Sequence, residues 1–145
     1  TLGWYDLEHK EYLRNGVDIA DQVRPIRAPD LNGRISLDYE FPQQLAGGNP
    51  FARLDARYLS ETDNVALATG FPEADRLSVR DAYWILDARA GLAGIATGPG
   101  MINVSVWAKN LLDEDDINVF GNEVINMTAV YNMPRTFGID FTLEL

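Results

Sequence analysis

Five stretches of this chain alternate between apolar and polar residues over ten or eleven positions each. From Leu31 to Phe41, Gly33, Ile35, Leu37, Tyr39 and Phe41 oppose Asn32, Arg34, Ser36, Asp38 and Glu40. From Phe51 to Ser60, Ala52, Leu54, Ala56 and Tyr58 oppose Arg53, Asp55 and Arg57. From Ala82 to Leu92, Ala82, Trp84, Leu86, Ala88, Ala90 and Leu92 oppose Asp87 and Arg89. From Met101 to Asn110, Ile102, Val104, Val106 and Ala108 oppose Asn103, Ser105, Trp107 and Lys109. From Arg135 to Leu145, Phe137, Ile139, Phe141, Leu143 and Leu145 oppose Gly138, Asp140, Thr142 and Glu144. A strand sends successive side chains to opposite faces, so a period of two held this long reads as strand. No stretch carries the i, i+3, i+4, i+7 pattern of an amphipathic helix with caps, although a short turn fits residues 17–23. The chain reads as all-β. Residues 1–10 form a sixth, weaker segment whose two faces the pattern does not assign.

The length of these strands matters as much as their number. About 5–6 residues suffice in an ordinary soluble sheet, whereas roughly 9–11 cross a bilayer at a tilt. The apolar faces are uniform from end to end, and no amphipathic helix is available to cover them. The expected architecture is a meander of about six long antiparallel strands belonging to a large transmembrane β-barrel, with the apolar face toward lipid. Six strands do not close, since the smallest barrels use about eight. The alternative is a soluble all-β ligand-binding module whose apolar faces meet in a dry core. No apolar run reaches the roughly 18 residues of a membrane helix, which has no bearing on a barrel.

The connections sharpen the choice. Residues 11–30, 61–81 and 111–134 are long, and 42–50 and 93–100, rich in Gly and Pro, are short. Long and short alternate, so an antiparallel meander gathers the long connections at one end, as in outer-membrane barrels. Charge follows the same partition: the three long connections hold −9 of the chain's net −10. Asp113 to Asp116, four acids in a row, stand where a strand would leave hydrocarbon for water.

Several kinds of chemistry are excluded or unsupported. The chain has no cysteine, hence no disulfide and no thiolate, and only one histidine, His9, without a Ser nucleophile motif beside it. Twelve scattered basic residues against a net charge of −10 argue against nucleic acid. The acidic stretch from Asp113 misses the EF-hand spacing, with Asn118 where glycine is required. "GLAGIATGPG" lacks the Lys and Ser/Thr of a phosphate loop. No residue presents itself as catalytic, and no metal or cofactor is expected. Arg53, Arg57, Asp87, Arg89 and Lys109 are instead expected on the polar side, lining a wet lumen with cross-strand ion pairs.

"VSVWAKNLLDEDD" followed by "YNMPRTFGIDFTLEL" resembles the C-terminal end of a TonB-dependent outer-membrane receptor. The resemblance lies in Asn110-Leu111-Leu112-Asp113 closing one strand and Pro134-Arg135-Thr136-Phe137-Gly138 opening the last. Two earlier segments, "APDLNGRISLDYEFP" and "AYWILDARAGL", are similar to the preceding strands, so the match spans about residues 28–145. One position departs: such receptors usually end on an aromatic residue, and here Leu145 stands there. The resemblance implies that residues 1–145 are the C-terminal part of a 22-stranded barrel importing a scarce nutrient such as a metal chelate, vitamin or oligosaccharide. It further implies the outer membrane of a Gram-negative bacterium, contact with outer-membrane lipid, and a plug domain with the remaining strands. Energy would come from the TonB complex acting through an N-terminal region.

Overall fold

The computed structural model describes residues 1–68, 70–122 and 127–145. Residue 69 and residues 123–126, inside two of the long connections, lie outside the described residues. The chain is all-β, built on one sheet of six antiparallel strands that does not close. The strands are β1 (Leu2–Trp4), β2 (Leu31–Glu40), β3 (Asn49–Leu59), β4 (Tyr83–Thr97), β5 (Gly100–Lys109) and β6 (Thr136–Glu144). They lie side by side in chain order.

β2, β5 and β6 each begin and end within one residue of the alternating segments. β4 differs. It runs on to Thr97, five residues beyond the point where alternation stops. Leu92 pairs with Val104 and Ile95 with Ile102, so β4 holds one more residue than β5 over this step. This is a β-bulge, and it returns Ile95 to the face of Leu92. The N–H of Gly94, inside the bulge, donates to Asn103 Oδ1 at 2.7 Å. The connection expected over residues 93–100 is therefore only Gly98 and Pro99. At the other extreme, only three residues of the first segment form a strand, pairing through Leu2↔Gly33, Gly3↔Asn32 and Trp4↔Leu31.

The chain forms two compact units. The sheet unit comprises Arg34–Arg57, Trp84–Glu114 and Pro134–Leu145. Its register stacks Phe137, Ala108 and Ala88 in one row, then Ile139, Val106 and Ala90, then Phe141, Val104 and Leu92. These rows form a continuous apolar face, and it is open: Ile139 is 74% exposed, Phe141 65%, Leu37 60% and Val106 54%. Among the described residues, Ala108 is the one buried hydrophobic residue of this unit.

The loop unit comprises Thr1–Gly33, Tyr58–Tyr83 and Asp115–Met133. Leu13–Arg14 pairs with Val17–Asp18 around Asn15 and Gly16, both at positive φ, which an Asn-Gly hairpin turn requires. A 3-10 turn follows at Ala20–Gln22, inside the stretch where a short turn was expected. Ile117–Asn122 pairs with Met127–Tyr131 in a second hairpin. The helix α1 (Pro72–Ser78) lies between Thr62–Asp63 and their partners Val79–Arg80. A helix was not expected from the sequence. Seven residues are too few to show a 3.6-residue period; the available signal was Pro72 at the first turn, followed by Glu73 and Asp75.

The interior of the loop unit is largely polar. Ala74 and Val23 are buried together with Asn64, Ser78 and Arg80. The N–H of Asn64 donates to the Ser78 carbonyl at 2.7 Å, and Arg80 Nη2 donates to Asn132 Oδ1 at 2.9 Å. The Arg80 guanidinium also sits 3.8 Å from the centre of the Tyr83 ring. Asp18 Oδ1 accepts the N–H groups of Tyr12 and Ala20, both at 3.0 Å, and these bonds hold the carboxyl pKa below its ordinary value.

Candidate functional site

Two groups of residues stood out in the sequence: the paired motif around the last two strands and the charged residues of the polar face. Both lie in the sheet unit, and they do different things.

The motif residues close the structure. β5 ends because Asn110 and Asp113 both take left-handed backbone conformations, at φ 52° and 57°, which Asn and Asp tolerate better than most residues. The Asn110 amide is only 5% exposed and bonds Glu114 at both ends: Nδ2 donates to the Glu114 carbonyl and Oδ1 accepts its N–H, each at 2.9 Å. The backbone N–H of Asn110 donates to Asp87 Oδ1 at 2.9 Å, and that of Leu111 to the Leu86 carbonyl at 2.8 Å. Asp113 Oδ1 accepts the backbone N–H of Arg135 at 3.0 Å, its Oδ2 lies 3.4 Å from Arg135 Nη2, and Arg135 Nη1 donates to the Leu111 carbonyl at 3.4 Å. Asp113 thus ties the end of β5 to the beginning of β6, while Asn110 ties it to β4 and to Glu114. The acidic stretch begins with a structural carboxylate, not merely a solvated one.

Gly138 has an equally specific reason. It faces Trp107 in the register, and a β-carbon there would lie 2.2 Å from Trp107 Cζ2. The indole therefore occupies the space that any side chain at 138 would need, and its Nε1 donates to Asp140 Oδ1 at 3.2 Å. Sequence reading missed this packing, because it becomes visible only once the register opposes Trp107 to Gly138. Phe137 sits on the apolar face, 67% exposed, with the Arg135 guanidinium 5.9 Å from its ring centre. Pro134, with no N–H to offer, precedes the strand.

The polar face carries a ladder of ion pairs across β2 to β6. Asp55 accepts Arg34 Nη2 at 2.8 Å and Ser36 Oγ at 2.5 Å on one oxygen, and Arg53 Nε at 2.8 Å on the other. Arg53 also lies 3.5 Å from Asp38. Asp87 lies 3.3 Å from Arg57, while its other oxygen holds the Asn110 N–H. Arg89 pairs with Asp140. Of the five residues expected here, Arg53, Arg57, Asp87 and Arg89 stand in this ladder, whereas the Lys109 ammonium lies 5.6 Å from the centre of the Trp107 ring. Ser105, on the same face, is only 7% exposed between the neighbouring strands.

Comparison with family models, curated proteins and solved structures gives no match. The chemistry the two groups share is structural support through charge-assisted hydrogen bonds.

Proposed function

We propose that this chain forms part of the wall of an outer-membrane β-barrel, in an active-transport receptor of the TonB-dependent kind that imports a scarce nutrient. The observation that carries the reading is the contrast between the two faces of the sheet unit. One face exposes Leu37, Val106, Ile139 and Phe141 with nothing packed on them among the described residues. The other is polar and laced with ion pairs. A lipid-facing wall around an aqueous lumen needs this division. A soluble sandwich needs the apolar side chains to meet in a core, and here they are open.

The pinned end of β5 and beginning of β6 support the same reading, since they give a physical role to the motif pair on which the receptor resemblance rests. In this reading the plug domain, the remaining strands and the link to the TonB complex come from outside residues 1–145, and outer-membrane lipid covers the apolar face. The long connections 11–30, 61–81 and 111–134 are extracellular.

Nitroxide labels at positions 37 and 38 in bilayers test the reading. The label at Leu37 should be relaxed by lipid-soluble oxygen and the label at Asp38 by an aqueous nickel chelate. Equal responses at both positions would refute the barrel. Sequencing upstream of Thr1 tests the receptor class separately: it should reveal a plug domain and about 16 further alternating strands. An upstream region with neither would leave a barrel of another kind.

A further inference from the structure

We infer that the polar face of the sheet unit holds a binding pocket for a small oxyanion, the carboxylate or phosphate group of a solute, with Lys109 as its principal donor. The pocket is a cavity of about 390 Å³ whose walls include Arg53, Arg89, Lys109, Trp107, Asp87 and Asp140. Every carboxylate on or beside it already has donors. Asp55 takes Arg34, Arg53 and Ser36; Asp87 takes Arg57 and the Asn110 N–H; Asp140 takes Arg89 and the Trp107 N–H. The pocket wall carries three cations, Arg53, Arg89 and Lys109, and three carboxylates, Asp55, Asp87 and Asp140.

The carboxylates are engaged by the arginines, and one cation is left over. Among the described residues no carboxylate pairs with Lys109, whose ammonium is left beside the Trp107 ring. An ammonium on a pocket wall that also carries the Arg53 and Arg89 guanidinium groups suits an oxyanion, and the indole beside it offers a flat apolar edge to the rest of the solute. The inference rests on the transport reading for the solute's route to this face, though not for the pocket itself.

The test uses a variant with Trp4→Phe and Trp84→Phe, which leaves Trp107 as the single indole. Its emission is followed in detergent at low ionic strength during titration with citrate, with inorganic phosphate, and with sodium chloride at matched ionic strength. A saturable change with citrate alone assigns a carboxylate, with phosphate alone a phosphate, and with both an oxyanion of either kind. In addition, Lys109→Gln should weaken the response about tenfold, the scale of one charge-assisted hydrogen bond, while Lys109→Arg should retain it. No saturable change with either oxyanion, the same change with sodium chloride, or undiminished affinity in Lys109→Gln would overturn the inference. Failure of the transport reading would appear in the labels at 37 and 38 or in the sequence upstream of Thr1, neither of which involves an anion.

Discussion

β5 and β6 are joined by nine consecutive residue pairs, whereas in the loop unit Leu13–Arg14 with Val17–Asp18, and Thr62–Asp63 with Val79–Arg80, are ladders of two. In the sheet unit the strands satisfy most of the backbone between them. Side chains such as Asn103, Asp87 and Asp113 serve it only at the bulge and the strand ends, and the rest define two faces. In the loop unit the side chains help to satisfy the backbone: Asp18 accepts two N–H groups, Ser60 Oγ accepts that of Leu31 at 3.1 Å, and Ser78 Oγ donates to the Asp75 carbonyl at 2.7 Å. The two regions should therefore fail differently. Misplaced polarity should damage the sheet unit, and loss of polarity the loop unit.

The largest effect should come from charging the apolar face. Ile139→Arg is expected to cost about 2–4 kcal/mol in bilayers, and Thr142→Arg, on the polar face of the same strand, within about 0.5 kcal/mol. Denaturant unfolding from liposomes measures both, and equal costs would erase the distinction between faces. Next in size is Gly138→Val, which forces a side chain into the Trp107 indole and should cost about 1–3 kcal/mol. Adding Trp107→Ala should recover part of that loss; full additivity of the two changes would show that the indole is not the obstacle. Asn110→Ala removes two hydrogen bonds to Glu114 and should cost about 1–2 kcal/mol by the same unfolding assay.

The smallest expected effect lies in the loop unit and depends on pH. The Asp18 pKa is lower in the folded chain than in the unfolded one, so its stabilisation is fully present above the unfolded value, about 4, and is lost as pH falls through the folded value. Hydrogen exchange at the Tyr12 and Ala20 amides should accelerate below that point relative to Asp18→Asn. An unchanged difference from the Asn variant down to pH 2 would contradict the two bonds.

What the sequence disclosed, and what it hid, follow the same division. Alternation located β2, β3, β5 and β6 because a buried or lipid-facing side sets the register, and a slip of one residue would turn every side chain over. It placed Arg53, Arg57, Asp87 and Arg89 on the polar face. It lost β4 after Leu92 because the bulge spends one residue out of phase. The short helix α1, stabilised by local bonds and the burial of Ala74 and Ser78, left no periodic trace. The motif residues were conspicuous in the sequence, yet part of their work, the Asp87 bond to the Asn110 N–H and the Asp113 bond to Arg135, depends on contacts between residues 22 or more positions apart.

The pinned base of the last long connection has a consequence for how such a chain can change. Asn110, Asp113 and Arg135 fix both stems of the intervening segment through bonds that lie wholly within the sheet unit. Once the stems are held, lengthening the segment between them adds little entropy to its closure, about 0.6 kcal/mol for each doubling. Insertions, deletions or wholesale replacement between Asp115 and Met133 should leave the register of β5 on β6 untouched. The junction behaves as a socket, able to present new surface chemistry to the surroundings while the wall beneath it is inherited unaltered.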